Sequence, residues 1–383
     1  MTIAAIVLAL LLVAAICAML YLKWRMANTP DRKNLAAAID AEVAKHMKSG
    51  RFPGIAVGVF KDGKTFIKGY GTVNKEISQI PDGHTVFQIA SVSKVLTASL
   101  LQALCDEGVV SMDATLGELL GASMALSPSA RAVTLRQLAT HTSGFPGIPE
   151  SLGDKARQMA GDDDPLLNPY SYLGREFVFD YLATAEGQRA AGRFEYSNFG
   201  MGLLGHVLEA VTGRDYESLV REKVLAPLGM HSTAIALAPA TKARLAQGYT
   251  GKGLPTPIWT FAALAGAGAY SSTAEDMLSF IQASLADHGP AAQRFQSMCV
   301  PQFGGEFGIG WAQPTFLHRF FGNRGVVWHN GMVAGYAAYL SIDEASKSGV
   351  VILTNQASAT EMLGMMVMRQ VRTQSWASSP PSN

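Results

Sequence analysis

Apolar residues recur at every fourth position from Leu35 through Ile39 and Val43 to Met47, which lays one stripe along a helix, with Asn34 placed to cap its start and Gly50 to stop it. The period then shortens. Gly54–Lys61 and Lys64–Tyr70 are β-prone runs joined by Asp62-Gly63, a dipeptide suited to a two-residue hairpin. At Phe87–Ala90 another β-like run gives way to Ser91 and an almost uncharged segment through Leu104, which predicts a buried helix beginning at Ser91. From about 109 to 260 the chain breaks into short helices between loops rich in Gly, Pro, Asp and Ser. The clearest helices there run from Asn198 to Ala210, with a stop near Gly213, and from Asp215 to just before Pro227. Thr273 caps a further helix from Ala274 to about Leu285. β-prone runs return at Val326–His329, Gly335–Asp343 and Gly349–Asn355, and a closing helix over Thr360–Thr373 sets its Met and Leu face against them. Strands at both ends with helices between them predict an α/β (α+β) fold of two lobes. One antiparallel sheet is built from both termini and flanked by helices, and a mostly helical lobe is inserted. The sheet lobe covers about 31–90 and 290–374, the helical lobe about 91–289, and Ser375–Asn383 is expected as a loose polar tail.

The first thirty residues stand apart. Ile3–Leu22 carries no charge over the length that spans a bilayer, so residues 1–30 read as a single-pass membrane anchor with Tyr21, Lys23, Trp24 and Arg25 at the interface. No cation precedes the run and no small-x-small site follows it, which argues against a cleaved signal peptide. Lys23, Arg25, Arg32 and Lys33 on the C-terminal flank would by themselves place the following domain in the cytoplasm.

Charge and cysteines narrow the function classes. The chain has 31 Lys and Arg against 30 Asp and Glu, so nothing favours nucleic acid. Cys17, Cys105 and Cys299 make no disulfide framework, and no metal-ligand spacing occurs. Asp162–Asp164 reads as a solvated acidic loop, and Gly266-Ala-Gly268 lacks the third glycine and the acid of a dinucleotide site. Neither metal nor cofactor is expected.

The candidate chemistry lies in three short segments. Ser91 and Lys94, three apart on a helix, are neighbours on one face, and a lysine whose pKa is lowered by burial can take the proton of a serine nucleophile. Tyr196 and Asn198 stand just before a helix; beside a lysine ammonium the phenol is expected to ionise and to move protons, while the carboxamide can bind a substrate amide. His329 precedes Asn330, Gly331 and Met332 on a predicted strand. Gly331 would let a substrate lie along the strand edge, the Met332 N–H could pair with that of Ser91 as an oxyanion hole, and an imidazole at 329 would titrate in the range where activity is measured.

In this order, Ser91-x-x-Lys94, Tyr196-x-Asn198 and His329-x-Gly331 resemble the serine β-lactamase-related superfamily, which holds class C β-lactamases, D-alanyl-D-alanine carboxypeptidases, esterases and D-aminopeptidases. Leu138–Pro146, Ser271–Met277 and Phe307–Trp311 are similar to the family in style, and the likeness extends over about 35 to 355. The resemblance implies that Ser91 is acylated, that Lys94 and Tyr196 manage the proton, and that Asn198 orients the acyl group. It also puts His329 where class C β-lactamases have lysine, which points toward the carboxypeptidase, aminopeptidase and esterase branches. The implied protein is a membrane-anchored serine hydrolase with its domain on the periplasmic side, acting on an ester, a D-amino-acid peptide or a related amide. Its partners are a small-molecule or peptide substrate and the membrane. The alternatives are a β-lactamase and a non-catalytic binding or filament-forming homologue.

Overall fold

The leading apolar stripe becomes helix α1, Leu35–Met47, capped by Asn34 Oδ1, which accepts the Ala37 N–H at 2.8 Å. The computed structural model describes residues 34–121, 124–154, 168, 170–172, 174–185 and 192–376, with scattered positions between 5 and 21. Strands β1 (Gly54–Lys61) and β2 (Lys64–Gly71) form an antiparallel hairpin. Lys61 pairs with Lys64, so Asp62 and Gly63 are the whole turn, at φ +51° and +70°. Two left-handed residues in succession match the right-handed twist of the flanking strands. Helices α2 (Ser93–Asp106), α3 (Asn198–Thr212) and α4 (Ala274–Ser284) follow among shorter ones. The chain ends in strands β3 (Val327–Val333), β4 (Tyr336–Asp343) and β5 (Ser348–Thr354) and helix α5 (Glu361–Thr373).

All five strands pair antiparallel in the order β2-β1-β5-β4-β3, and Ile55 of the first hairpin lies opposite Thr354 of the last strand. The sheet is therefore closed by the two ends of the domain. β1 is buried throughout, and its side chains divide by parity. Ile55, Val57 and Val59 join Val350 and Ile352 of β5 in a core shared with Leu35, Ile39 and Val43 of α1 and Leu363, Val367 and Met368 of α5. Ala56 and Phe60, with Val351 and Leu353, belong to the opposite core, which runs on into the helical region.

Helix α4 falls in the stretch assigned from sequence to the helical lobe, yet it packs on the sheet. A Cβ added at Gly58 of β1 would sit 3.0 Å from Leu278, and one at Gly349 of β5 would sit 2.4 Å from Ile281, so both glycines let α4 seat closely. β3 runs beyond His329, since Gly331 and Met332 still pair with Ala338 and Ala337. Ser375 and Trp376, expected at the head of a loose tail, are held in place. The Ser375 carbonyl accepts the Leu35 N–H, and the Trp376 indole donates to Lys61 O at 3.1 Å.

Most of the expected anchor lies outside the described residues, and Asp162–Asp164 and residues 377–383 lie wholly outside them. The described positions within the anchor, among them Leu8, Val13 and Leu20, are helical and exposed; among the described residues no helix is long and apolar enough to cross a membrane. Ile352, wholly buried between sheet and helices, gives a direct check on the shared core: Ile352→Ala should lower unfolding stability by about 2–5 kcal/mol in urea titration.

Candidate active site

The site begins where the chain turns from strand to helix. Phe87 and Gln88 pair with Ser272 and Ser271, the Ile89 N–H reaches Tyr270 O at 3.0 Å, and Ala90–Val92 then make one 3₁₀ turn ahead of α2. Ser91 thus sits in the turn rather than at the first position of the α-helix. Ala90 is left-handed at φ +48°, a conformation that costs a residue with a Cβ about 1–2 kcal/mol and that persists only where its surroundings hold it. The turn leaves Ser91 partly exposed, while Lys94, one helical turn on, is wholly buried beneath it.

Lys94 Nζ has three neighbours: Ala267 O at 2.6 Å, Asn198 Oδ1 at 2.8 Å and Ser91 Oγ at 2.9 Å. A carbonyl and a carboxamide oxygen can only accept. They take two of its N–H donors, and the third neighbour, the Ser91 hydroxyl, accepts from Nζ in the ammonium form and donates to its lone pair in the neutral amine. Burial pushes the Lys94 pKa well below the usual lysine range, in the direction of the neutral amine.

Tyr196 lies across the amine, with Lys94 Nζ 5.0 Å from its ring centroid and its hydroxyl hydrogen-bonded to Ser91. Burial raises its pKa, and the bond to Ser91 opposes this only in part. The expectation of an ionised phenol beside an ammonium is therefore corrected. The resting phenol is protonated, and the same desolvation works against the charge on the amine. Asn198 is the first residue of α3, and its Nδ2 donates to Tyr170 Oη at 2.9 Å while Oδ1 faces Lys94. Both ends of this carboxamide are engaged by the protein, so in the resting site it orients the amine.

The opposite wall is β3, the edge strand of the sheet. A Cβ at Gly331 would lie 2.5 Å from Ser91 N and 2.6 Å from Ile89 O, so only glycine lets the strand touch the Ser91 turn. Trp328 exchanges both backbone bonds with Ala312, on the side of β3 away from β4. Two-residue periodicity turns the Met332 N–H to that same outer edge, one residue on from the Gly331 contact with Ser91, and the Met332 side chain is exposed. His329 is buried, with Nδ1 donating to Asn330 O at 2.7 Å, which leaves Nε2 as a lone pair without a partner. Burial pushes its pKa down to about 3. The expected titration near neutrality is corrected accordingly: His329 presents an acceptor and no charge.

The structure thus brings Ser91, Lys94, Tyr196, Asn198, His329, Gly331 and Met332 around one cleft. Sequence reasoning missed Ala267, Tyr170 and Phe307. The Gly266-Ala-Gly268 stretch, set aside as a weak nucleotide motif, carries the carbonyl that accepts from Lys94, and its small residues were the available signal. Tyr170 stacks on Phe261 at 4.6 Å and fixes Asn198; Phe307 stands 6.1 Å from the His329 ring. Phe307 opens a stretch noted only for its family likeness, and nothing local in the sequence marks Tyr170.

Fold and cleft together are those of a serine hydrolase. Residues 39–369 match the family model described as Beta-lactamase, and the chain belongs to that family. It is 31% identical over 294 residues, 72% of its own length, to a human protein described as beta-lactamase-like 1, and spans 55% of that relative. It is 26% identical over 382 residues to the D-alanyl-D-alanine-carboxypeptidase/endopeptidase AmpH of Escherichia coli (strain K12), a match that covers 93% of each. The solved structure of a Beta-Lactamase/D-Alanine Carboxypeptidase from Pseudomonas syringae superposes with a TM-score of 0.75 at 20% identity, over 88% of this chain and 99% of that one. A class C beta-lactamase gives 0.74 at 23%, over 89% and 97%. These two likenesses establish the shared fold.

The contact between strand and turn is open to test. Gly331→Ala forces β3 off the Ser91 turn, and the rate of Ser91 labelling by a fluorophosphonate should fall by about a hundredfold, while the melting temperature changes little because the edge of the sheet absorbs the shift.

Proposed function

We propose that the protein is a hydrolase that forms an acyl-enzyme on Ser91, with an ester, a D-amino-acid peptide or a related amide as substrate. The observation that carries this reading is the hydrogen-bond pattern of Lys94: two of its three neighbours can only accept, so once burial has stripped its proton the lone pair faces the Ser91 hydroxyl. As Oγ attacks the substrate carbonyl, Lys94 takes its proton, and the carbonyl oxygen, now negative, is held by the N–H groups of Ser91 and Met332. Tyr196, hydrogen-bonded to Ser91, delivers a proton to the leaving group and recovers one from Lys94, so amine and phenol both end as they began. Water then attacks the acyl-enzyme by the same route in reverse. Asn198, braced by Tyr170, keeps the amine aimed and borders the acyl side of the cleft.

His329 is neutral where the family resemblance implies an ammonium in class C β-lactamases. A lactam carboxylate therefore meets one positive charge fewer, which favours peptides and esters over rapid lactam turnover. The similarity to a carboxypeptidase/endopeptidase along nearly the whole chain supports the peptide branch. The uncharged run Ile3–Leu22 supports attachment to a membrane through the N-terminal segment; the family resemblance, against the cationic flank Lys23, Arg25, Arg32 and Lys33, supports a catalytic domain on the extracytoplasmic side. Protease digestion of intact cells tests this: protection of the domain until the cells are lysed would reverse the sidedness.

Ser91→Ala should abolish labelling by a fluorophosphonate or a penicillin, and equal labelling of that variant would remove Ser91 from the mechanism. Lys94→Met, which keeps the volume and loses the lone pair, should slow acylation by about 10²–10⁴-fold. The base form of Lys94 exists above its lowered pKa, so kcat/KM should be lost as pH falls through that value and should hold on the alkaline side into the ordinary lysine range. A rise that began only near the ordinary lysine pKa would contradict the neutral amine.

A further inference from the structure

Thr140-His141-Thr142-Ser143-Gly144 lies behind Tyr196-Ser197-Asn198 and takes no part in the steps above. We propose that His141 is a positioning residue whose ring, by accepting the Ser197 N–H, sets how Tyr196 and Asn198 meet Lys94. The inference rests on the reading of Ser91 as nucleophile and adds a residue to it.

Ser197 is extended, at φ −128° and ψ 111°, and in extended backbone successive side chains point opposite ways. Tyr196 and Asn198 therefore turn together toward Lys94, and Ser197 turns away. On that far side the 141–147 loop takes up the segment's polar groups. The Glu195 N–H goes to His141 O at 2.7 Å, the Ser197 N–H to His141 Nδ1 at 3.1 Å, and the Phe199 N–H to Gly147 O at 2.9 Å. Ser197 Oγ donates to Pro146 O at 2.7 Å and accepts the Gly200 N–H, closing the cap of α3. Of these contacts, the one from His141 is a side-chain acceptor on the residue between the two that touch the amine.

The ring is held for this contact. His141 is 1% exposed, its centroid is 4.4 Å from that of Tyr196, and Phe307 meets it edge-on at 5.1 Å. Its backbone is left-handed at φ +58°, a strained state that asparagine and histidine tolerate better than most residues. Because Nδ1 accepts, the ring proton is on Nε2, which is buried without a partner. A side chain needed only to fill space would avoid that orphan donor as leucine or phenylalanine. Burial holds the imidazole well below its usual range, in the form that can accept.

The test compares His141→Asn, His141→Gln and His141→Leu. Asparagine carries its oxygen close to the Nδ1 position and suits the left-handed backbone, glutamine moves its amide one bond outward, and leucine has no acceptor. kcat and KM are measured for p-nitrophenyl acetate, with the rate of fluorophosphonate labelling and a thermal melt on each protein. We expect kcat to fall about a hundredfold in the Gln and Leu variants with KM nearly unchanged, and to recover to within about threefold of wild type in the Asn variant. Equal losses for Asn and Gln, or wild-type kcat in all three, would overturn the proposal. So would a result in which Asn folds while neither Gln nor Leu does, since the contact would then be structural alone. Ser91→Ala, assayed alongside, separates the two levels: if it still labels, the nucleophile assignment fails, and if it is inert while His141→Gln is normal, only the positioning role fails.

Discussion

A primary amine buried with no carboxylate against it among the described residues is the constraint on which this molecule's site depends. Lys94 is fully enclosed, and its three polar neighbours are an amide carbonyl, a carboxamide and a hydroxyl. Holding a full positive charge there would forfeit most of its hydration. Losing the proton removes that penalty and at the same time makes the base. The burial that stabilises the fold around α2 thus also sets the chemistry, and no separate charged group is needed to tune it.

That burial requires backbone to come unusually close. The carbonyl of Ala267 reaches the amine because the segment around it is made of small residues. A Cβ at Gly266 would lie 2.6 Å from Met201 O, and one at Gly202 of α3 would lie 2.8 Å from Leu264 Cα. Gly331 does the same from the sheet side against the Ser91 turn. Three glycines from distant parts of the chain bring α3, the 265–268 turn and β3 within contact of one helix start. Glycine is the residue that permits such approach, at the cost of greater chain entropy when unfolded.

The sheet gives the cleft its rigid wall. β1 and β5 come from opposite ends of the domain and share two cores, one under α1 and α5 and one continuous with the helical region. β3 is left at the edge with its outer backbone groups partly unused, which makes it a rigid strip of donors and acceptors beside the nucleophile. The Tyr196 segment is held separately, by a loop on its far side. Strand, helix and segment therefore each have their own support.

Much of this was legible along the chain. The stripe of α1, the Asp62-Gly63 turn, the strands at both ends, and the Ser91, Tyr196 and His329 segments are local patterns: the spacing of apolar positions and the φ preferences of a few residues fix them wherever they fold. The protonation states were not legible, because desolvation is a property of what surrounds a group. Tyr196 was expected ionised and His329 titratable, and burial makes the first a neutral phenol and the second a neutral acceptor. Nor could local pattern place α4 against the sheet, find the carbonyl of Ala267, or show that His141 reaches Ser197, since each is a contact between segments many residues apart. Residue order determined which groups this protein has and which secondary structures carry them; tertiary packing alone decided their distances and their charges, because both depend on the neighbours that folding supplies.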